Sequence, residues 1–509
     1  MKKILEKADR MRLEAVIARN RSQLSAIRGY LDAVPGFAVA GGKLIREPSI
    51  VVLVKRKLPP EALAAGEAAP LRIEGVRVDV QTADLETQLS LLDPTSALAV
   101  EAAALASKTP TYVRLPGDPI DTELTINTPF LCHAGPDTGW IPLRNFIAGT
   151  AKHLVAAIYD FNADYIAKAL VSVAEGQDIN IKLTLDDDVR DKEQPIQKRL
   201  KQVLGEAYDV QIITCRAGAR FPSAYHEKVI VQDDKAVWLS SGNWSTRSQP
   251  KIDPIGDPST AQGMYSTGNR EWHVIVEDKK LAKLFKRYIE HDFDQAKNDA
   301  ATGLTLAAKP AMPDVYVPIE ALTADMLAAA APTPVRPQML PTVLRPIKVR
   351  PLLSPDNYAG RVEKLIRSAK KSLYLQYSYI TWTDAERDAN FTRVLNYLGE
   401  LSTRDGFDLK VIVGGEAAKV RVLAENGWNE EVVRRQSGIH NKGIVVDNKR
   451  VLISSQNWSG DGFLRNRDAG LIIDDKDIAG YYGAIFLDDW NKRARPALAE
   501  TASAIIALP

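Results

Sequence analysis

The chain has little cysteine, little histidine, no long apolar run and almost no net charge. Only Cys132 and Cys215 occur in 509 residues, which argues against a disulfide scaffold and fits a reducing compartment. Lysine and arginine (66) nearly balance aspartate and glutamate (64), giving a net charge of +2. Such a field neither demands nor excludes nucleic acid. No apolar stretch reaches the ~20 residues of a membrane-spanning helix. The opening MKKILEKADRMRLEAVIARN lacks the continuous apolar core of a signal peptide. A cytoplasmic location is the expectation, with leaderless export left open. Hydrophobic residues at 45% and charged residues at 26% are ordinary for a soluble globular protein, and the length suits two or three domains.

Against that scarcity one pattern stands out, because the chain writes it twice. Of six histidines, two head the same constellation. YHEKVIVQDDKAVWLSSGNWSTR (225–247) and IHNKGIVVDNKRVLISSQNWS (439–459) align without a gap from His226/His440 to Ser245/Ser459. Each histidine is followed by Lys at +2, Asp at +7, Ser at +15, Asn at +17 and Trp at +18. The apolar runs Val229–Val231 and Ile444–Val446 read as short buried strands. Residues two apart on a strand share a face, so His226 projects with Lys228, and His440 with Lys442. A polar turn and a second strand follow, and Asn243 or Asn457 arrives on the loop beyond. Two such halves face to face would place two imidazoles, two ammonium groups and two amides around one tetrahedral oxyanion.

The pattern resembles the phospholipase D superfamily signature, H-x-K-x(4)-D followed by Ser and Asn. The match runs through His226, Lys228, Asp233, Ser241 and Asn243, then His440, Lys442, Asp447, Ser455 and Asn457. Ser240 and Ser454 stand where that family often has glycine. The resemblance implies attack by His226 Nε2 on phosphorus, a phosphohistidine intermediate, and His440 as the acid that then activates water or another alcohol. Lys228, Lys442, Asn243 and Asn457 would hold the non-bridging oxygens, and no metal or other cofactor is implied. Glu271 and Asp468, in the repeated NRE/NRD, stand where the family carries a carboxylate that orients a catalytic imidazole. Ser241, Ser455 and Tyr225 are expected to contact substrate, and Asp233 and Asp447 to brace the turns. His133, His153, His273 and His291 are expected to be packed or surface histidines, His273 having a weak claim through its two-residue offset from Glu271. Trp244 and Trp458 are expected behind the site.

The repeat extends beyond the signatures. PDTGWIPLRNFIAGTAKHLVAAIYDF (136–161) parallels PDNYAGRVEKLIRSAKKSLYLQYSYI (355–380), and INIKLTLDDD (179–188) parallels FDLKVIVGGE (407–416). NREWHVIVED (269–278) parallels NRDAGLIIDD (466–475), each followed by a terminal helix. The expected fold is α/β: two pseudo-twofold-related sandwich halves, 126–300 and 346–500, after a small N-terminal α+β module at 1–90. Residues 91–125 read as an Ala-rich helix and linker, and 301–345 as an Ala/Pro-rich linker. Residues 3–32 carry apolar residues at helical spacing, expected to end at Pro35-Gly36 and to pack on their own domain or on another copy. From Asn243 to Glu271 the first half spans 17 residues more than the second does from Asn457 to Asp468.

Three functions compete on these residues. A phospholipid phosphodiesterase, working with transient membrane-surface contact, would have an apolar mouth, for which 221–225 and 417–438 offer residues. A nuclease would have basic and aromatic loops. Arg216, Arg220, Arg247, Lys251, Arg270, Lys419, Arg421, Arg434, Arg435, Arg465 and Arg467 flank the signatures, with Tyr225 and Trp428 nearby. The third is a non-catalytic scaffold, which two intact signatures disfavour. The balance leans to the phospholipid side; oligomeric state is left open.

Overall fold

The computed structural model describes residues 5–40, 43–55, 57–58, 60–64, 66–83, 111–117, 120–187, 190–215, 219–301, 336–414 and 417–498. The Ala-rich helix expected after residue 91, most of both linkers and Arg216 lie outside them.

In the N-terminal module the helical segment is shorter than its pattern suggests. Helices Lys7–Arg19 and Arg21–Ser25 are followed by β1 (Tyr30–Ala40), β2 (Lys43–Val54), β3 (Arg72–Ile73) and β4 (Val76–Thr82). Pro35 and Gly36, expected to stop a helix, lie inside β1. The sheet order β1-β2-β4-β3 makes β1 an edge, where a residue without an N–H costs no ladder bond. Leu13, Val16, Ile17 and Leu24 bury their stripe against Ile50, Val52, Val54 and Val76 of the same module. Of the two expected uses of that stripe, packing on its own domain is the one seen.

The two halves repeat one strand order. The first runs through β6 (Phe130–Gly135), β7 (His153–Ile158), β8 (Asn180–Asp186), β9 (Tyr208–Ile213), β10 (Lys228–Gln232), β11 (Ala236–Ser240) and β12 (Glu271–Val276). Their equivalents are β14 (Ile347–Ser354), β15 (Ser372–Tyr377), β16 (Asp408–Val413), β17 (Val433–Arg435), β18 (Lys442–Val446), β19 (Arg450–Ser454) and β20 (Asp468–Asp474). Spatial order is β6-β12-β11-β10-β7-β8-β9 in one sheet and β14-β20-β19-β18-β15-β16-β17 in the other, β21 (Arg495–Pro496) completing the second. The edges are exchanged. β5 (Leu124–Ile126), which precedes the first half, pairs with β14, while β13 (Gln338–Leu340), from the segment read as a linker, pairs with β6. Each half thus completes the other's sheet, and neither boundary is a plain linker.

Alternation along the strands explains where the core sits. Val229, Val231, Val237, Leu239 and Val274 of the first sheet join Val445, Val451, Ile453, Leu471 and Ile473 of the second in one cluster between the halves. Their neighbours turn outward, Ile230, Trp238 and Ile275 under the first half's helices and Ile444, Leu452 and Ile472 under the second's. Both faces are covered, so the strands read as unbroken apolar runs. The halves complement each other in volume where they meet. A Cβ on Gly443 would lie 2.3 Å from Trp272 Cε3, and the repeat equivalents of this pair are Val229 and Ala469. One side pairs very large with very small, the other medium with small.

Candidate active site

Both signature histidines hang on the opposite half through the main chain. His226 N donates to Arg467 O (2.6 Å) and His440 N to Arg270 O (3.2 Å). Arg467 and Arg270 directly precede Asp468 and Glu271, so each backbone bond delivers a carboxylate to the imidazole beside it. His226 Nδ1 lies 2.8 Å from Asp468 Oδ1, and His440 Nδ1 lies 2.7 Å from Glu271 Oε1. Each carboxylate therefore serves the histidine of the other half. Glu271 is one methylene longer than Asp468, and Gly242 leaves it room: a Cβ there would be 2.8 Å from Glu271 Cδ.

Lys228 and Lys442 project beside their histidines. Lys228 Nζ donates to His226 O (2.6 Å), and Lys442 Nζ lies 3.0 Å from His440 Nε2 and 3.5 Å from Ser241 O. The side chains of Asn243 and Asn457 make no hydrogen bond among the described residues, and the Oδ1 of each is buried without a partner. Two wider surface depressions, about 510 Å³ beside Arg367 and Tyr397 and about 430 Å³ beside Lys283 and His291, contain none of these residues.

Burial, and the crowding of cations on one another, depresses all four basic groups. Burial, then Lys228, Lys442 and His440, hold His226 well below the ordinary imidazole range. Burial and Lys442 lower Lys228, and burial brings Lys442 down to about 8 against the pull of Glu271 and Asp468. Burial lowers His440 also, but Glu271 opposes it. Burial would raise Glu271, yet His440, Lys442 and Ser241 outweigh it and keep the group ionised. Asp468 goes the other way, raised by burial to about 7 despite Lys228. The pseudo-symmetric pairs are thus electrostatically unequal. An anion bound among the lysines would reverse these depressions.

Several expected roles need correction. Ser241 and Ser455 are fully buried. Their hydroxyls donate to Glu271 Oε2 (2.5 Å) and Asp468 Oδ1 (2.7 Å) and accept Trp272 N and Ala469 N (3.0 Å each). They brace the carboxylates and have no proton left for substrate. Tyr225 is buried against Phe221, its N–H on Asp186 Oδ2 and its hydroxyl 3.3 Å from Glu227 Oε2, so it lines no mouth. Asp233 accepts the backbone N–H groups of Ala151, Lys152 and His153, and Asp447 those of Lys370, Lys371 and Ser372. Both clamp the entry to the neighbouring strand, β7 or β15. Trp244 and Trp458 are buried, on Phe161 and on Tyr377 with Phe463.

Most of the flanking cations and aromatics are spent inside the fold. Arg270 donates to Asp489 (2.8 and 2.9 Å), and Arg467 to Asp292 (2.7 and 3.1 Å) and Asp356 (2.6 Å), both guanidinium groups being buried. Arg220 pairs with Asp299, Arg465 with Asp461 and Asp388, and Arg434 lies over Trp490. Trp428 is buried and donates to Leu395 O. His133 and His273 stack on each other, and His273 Nδ1 meets Ser240 Oγ. His153 pairs with Asp234, and His291 lies near Val113 O. Among the described residues one group of metal-type donors gathers, Asp186, Asp187 and Cys215, within 4.8 Å of one another. Those carboxylates accept Tyr225 N and Cys215 N, and burial with Asp186 and Asp187 keeps the thiol protonated.

Two features escaped the sequence reading. Asp292 and Asp489 each follow their half's carboxylate by 21 residues, a repeat as regular as the signature. Tyr159, half-buried after β7, stands with its ring 4.7 Å from that of His226 and 5.1 Å from Lys228 Nζ. Its repeat equivalent is Ser378, so no repetition could flag it.

No described helix is long and apolar enough to cross a membrane. No curated protein sequence matches the chain. Among solved structures it is similar to phosphatidylserine synthase from Haemophilus influenzae Rd KW20, with 13% identity over 78% of this chain and 91% of that one and a TM-score of 0.45. It is also similar to Nuc, a phospholipase D family member from Salmonella typhimurium, with 18% identity over 34% of this chain and 96% of that one and a TM-score of 0.25. NucT from Helicobacter pylori gives 20% identity over 30% and 86%, with a TM-score of 0.24. The family described as "Cardiolipin synthase, PLD-like domain" matches residues 143–293 and 362–490. With both signatures, the strands that carry them and more than half of the chain inside that match, the protein belongs to the phospholipase D superfamily, a family of phosphodiester chemistry.

Proposed function

We propose that the protein is a phosphodiesterase of phospholipase D type that hydrolyses or transfers a phosphodiester through a phosphohistidine on His226. The observation that carries this is the exchange of carboxylates. With Nδ1 of each imidazole held by the opposite half, Nε2 is the ring nitrogen that remains for chemistry beside Lys228 and Lys442, His440 Nε2 having Lys442 Nζ at 3.0 Å.

The unequal electrostatics support giving the two histidines different roles. A nucleophile must be unprotonated, and of the two signature imidazoles His226 is the one held further down. A general acid must gain a proton, and His440 has the ionised Glu271 behind it. His226 Nε2 attacks phosphorus in line while His440 gives its proton to the leaving oxygen. Lys228 and Lys442 balance the charge spread over the non-bridging oxygens, and the unspent amides of Asn243 and Asn457 can donate there. Asp468 stabilises the phosphorylated imidazole, and His440 then takes a proton from water or an alcohol to release the phosphoryl group. Of the two substrate classes, the nucleic-acid reading leaned on arginines and aromatics that are mostly consumed internally. Phe221, Tyr225 and Trp428 of the expected apolar mouth are buried as well, so a phospholipid-type diester stays the proposed substrate only because its rival loses more of its expected contacts. The test is a paired assay in chelator, head-group release from phospholipid vesicles against degradation of single-stranded DNA. Release without DNA degradation is expected; loss of both, restored by divalent metal, sinks the metal-independent route.

The profile of kcat/KM against pH should be a narrow bell. Asp468, with a pKa of about 7, must be ionised to stabilise the charged imidazole, so activity falls as pH drops through that value. Lys442, about 8, must be protonated to hold oxygen, so activity falls as pH rises through it. Arginine at Lys442 keeps its charge and should change the upper limb without erasing it, because His440 must also keep its proton for the first step. A flat profile from pH ~6 to ~9 contradicts the assignment.

A further inference from the structure

The histidines, lysines and asparagines repeat, but the residues around them do not. On the first half's side, Tyr159 follows β7 and packs its ring on His226, with Asp160 next to it and Asp186 closing β8. The repeat equivalents are Ser378, Tyr379 and Gly414. The backbone is the same on both sides: Tyr159 N donates to Glu227 O (3.1 Å) and Ser378 N to Asn441 O (3.0 Å), each between the signature His and Lys. The side chains differ: Tyr159 and Asp186 are matched by the smaller Ser378 and Gly414, and the carboxylate of Asp160 is replaced by the ring of Tyr379. Tyr159 fills its side, where burial first, then Asp186 and Asp160, hold its phenol neutral. Ser378 puts a small side chain on the equivalent side, and its Oγ is buried without a hydrogen-bond partner. Gly414 is exposed there, tight against the main chain: a Cβ would lie 2.6 Å from Ile439 O and 3.2 Å from Ser378 O. Lys419, on the helix Ala417–Glu425, stands with Nζ 5.0 Å from the Tyr379 ring centroid, with no carboxylate partner among the described residues.

We propose that Ser378, Gly414 and Lys419 form the subsite for the alcohol that leaves and the water or alcohol that replaces it, and that this subsite selects neutral and anionic alcohols over ammonium-bearing ones. The inference rests on His226 as nucleophile and deepens that assignment. In-line displacement sends the leaving oxygen away from His226, toward His440 and the second half. The incoming alcohol returns along the same line. It forms its bond to phosphorus as the His226 Nε2–P bond breaks, and its proton passes to His440. On the second half's side lie a small side chain with an unused hydroxyl, a glycine beside it and an ammonium group over the neighbouring Tyr379 ring. The first half's side has bulk and carboxylates, which would suit a cation, but His226 and Tyr159 occupy it. Ser378 Oγ can hydrogen-bond the alcohol oxygen, and Lys419 raises the local population of anions.

The test keeps the first step constant. Bis(p-nitrophenyl) phosphate serves as donor, and the products are partitioned among water, glycerol, glycerol 3-phosphate and choline at equal concentrations. Glycerol and glycerol 3-phosphate should be captured about tenfold more often than choline. Lys419→Glu should reverse the order between choline and glycerol 3-phosphate. Ser378→Tyr, which installs the first half's residue, should depress capture of every alcohol relative to water. These are ratios, so partial loss of folded protein does not move them. Equal capture of all three alcohols, preference for choline, or reaction with water alone overturns the subsite. Normal p-nitrophenol release with any of those outcomes leaves the phosphohistidine reading standing; absence of release from the wild-type protein sinks both.

Discussion

Asparagine at His226 should cut turnover by about 10⁴-fold or more, a loss of ~5.5 kcal/mol of transition-state stabilisation at 1.36 kcal/mol per decade, and leave no labelled phosphoenzyme. Asparagine at His440 should behave differently. With a p-nitrophenyl leaving group, which departs without a proton, the first step continues. The second step needs a base for water and stalls, so His440→Asn should release up to one equivalent of p-nitrophenol in a burst and hold one phosphoryl group per chain. The carboxylates extend the test, because each serves the opposite half. Asp468→Ala should resemble the His226 variant and Glu271→Ala the His440 variant, more mildly, since each removes the support and keeps the imidazole. Were the carboxylates instead to act within their own halves, these phenotypes would be exchanged. A burst from His226→Asn and none from His440→Asn would move the nucleophile to the second half.

Repetition made much of this fold readable in the sequence. Wherever the halves repeat, the sequence pairs segments whose strands take equivalent places, from β7 and β15 through to β12 and β20. What failed to show was whatever depends on the halves being together. The crossing of Glu271 to His440 and of Asp468 to His226 is invisible in either copy alone, because each carboxylate lies near its own signature in sequence. Arg270 and Arg467 read as surface cations for the same reason; nothing local says that Asp489 and Asp292 wait on the opposite half. Ser241 and Ser455 follow the second strand of each hairpin and looked available to substrate. Their hydroxyls are spent within their own halves, on the carboxylate and backbone N–H of the adjacent strand, a pairing across strands that local sequence does not show. Pro35 misled in another way. Its restricted φ suits the extended chain as well as it breaks a helix, and the edge position of β1 decided between them. The exchanged strands β5 and β13 are three residues each, too short for periodicity to register.

The ion pairs that sequence could not place set the second large effect, on stability. Arg467 is fully buried, with Asp292 and Asp356 on its nitrogens, Glu227 at 3.6 Å, and the rings of Tyr112, Phe221 and Tyr288 around it. Arg467→Met preserves most of the volume but strands Asp292 and Asp356 between the halves. Breaking a buried pair by removing one partner costs about 3–5 kcal/mol, because the remaining charge is buried uncompensated. Urea denaturation should show a loss in that range. By contrast, Arg393→Met, which removes a half-exposed ion pair to Glu363 (2.7 Å), should cost under ~1 kcal/mol. Adding Asp292→Asn to Arg467→Met removes one of the stranded charges and should recover part of the loss, a non-additivity expected of groups in one network. Activity should fall as well, since His226 hangs on the Arg467 carbonyl, and the double variant should regain stability more fully than rate. If Arg467→Met costs no more than Arg393→Met, the buried network is not what holds the two halves in register. The shared pocket would then depend on the apolar interface around Trp272 and Gly443 alone.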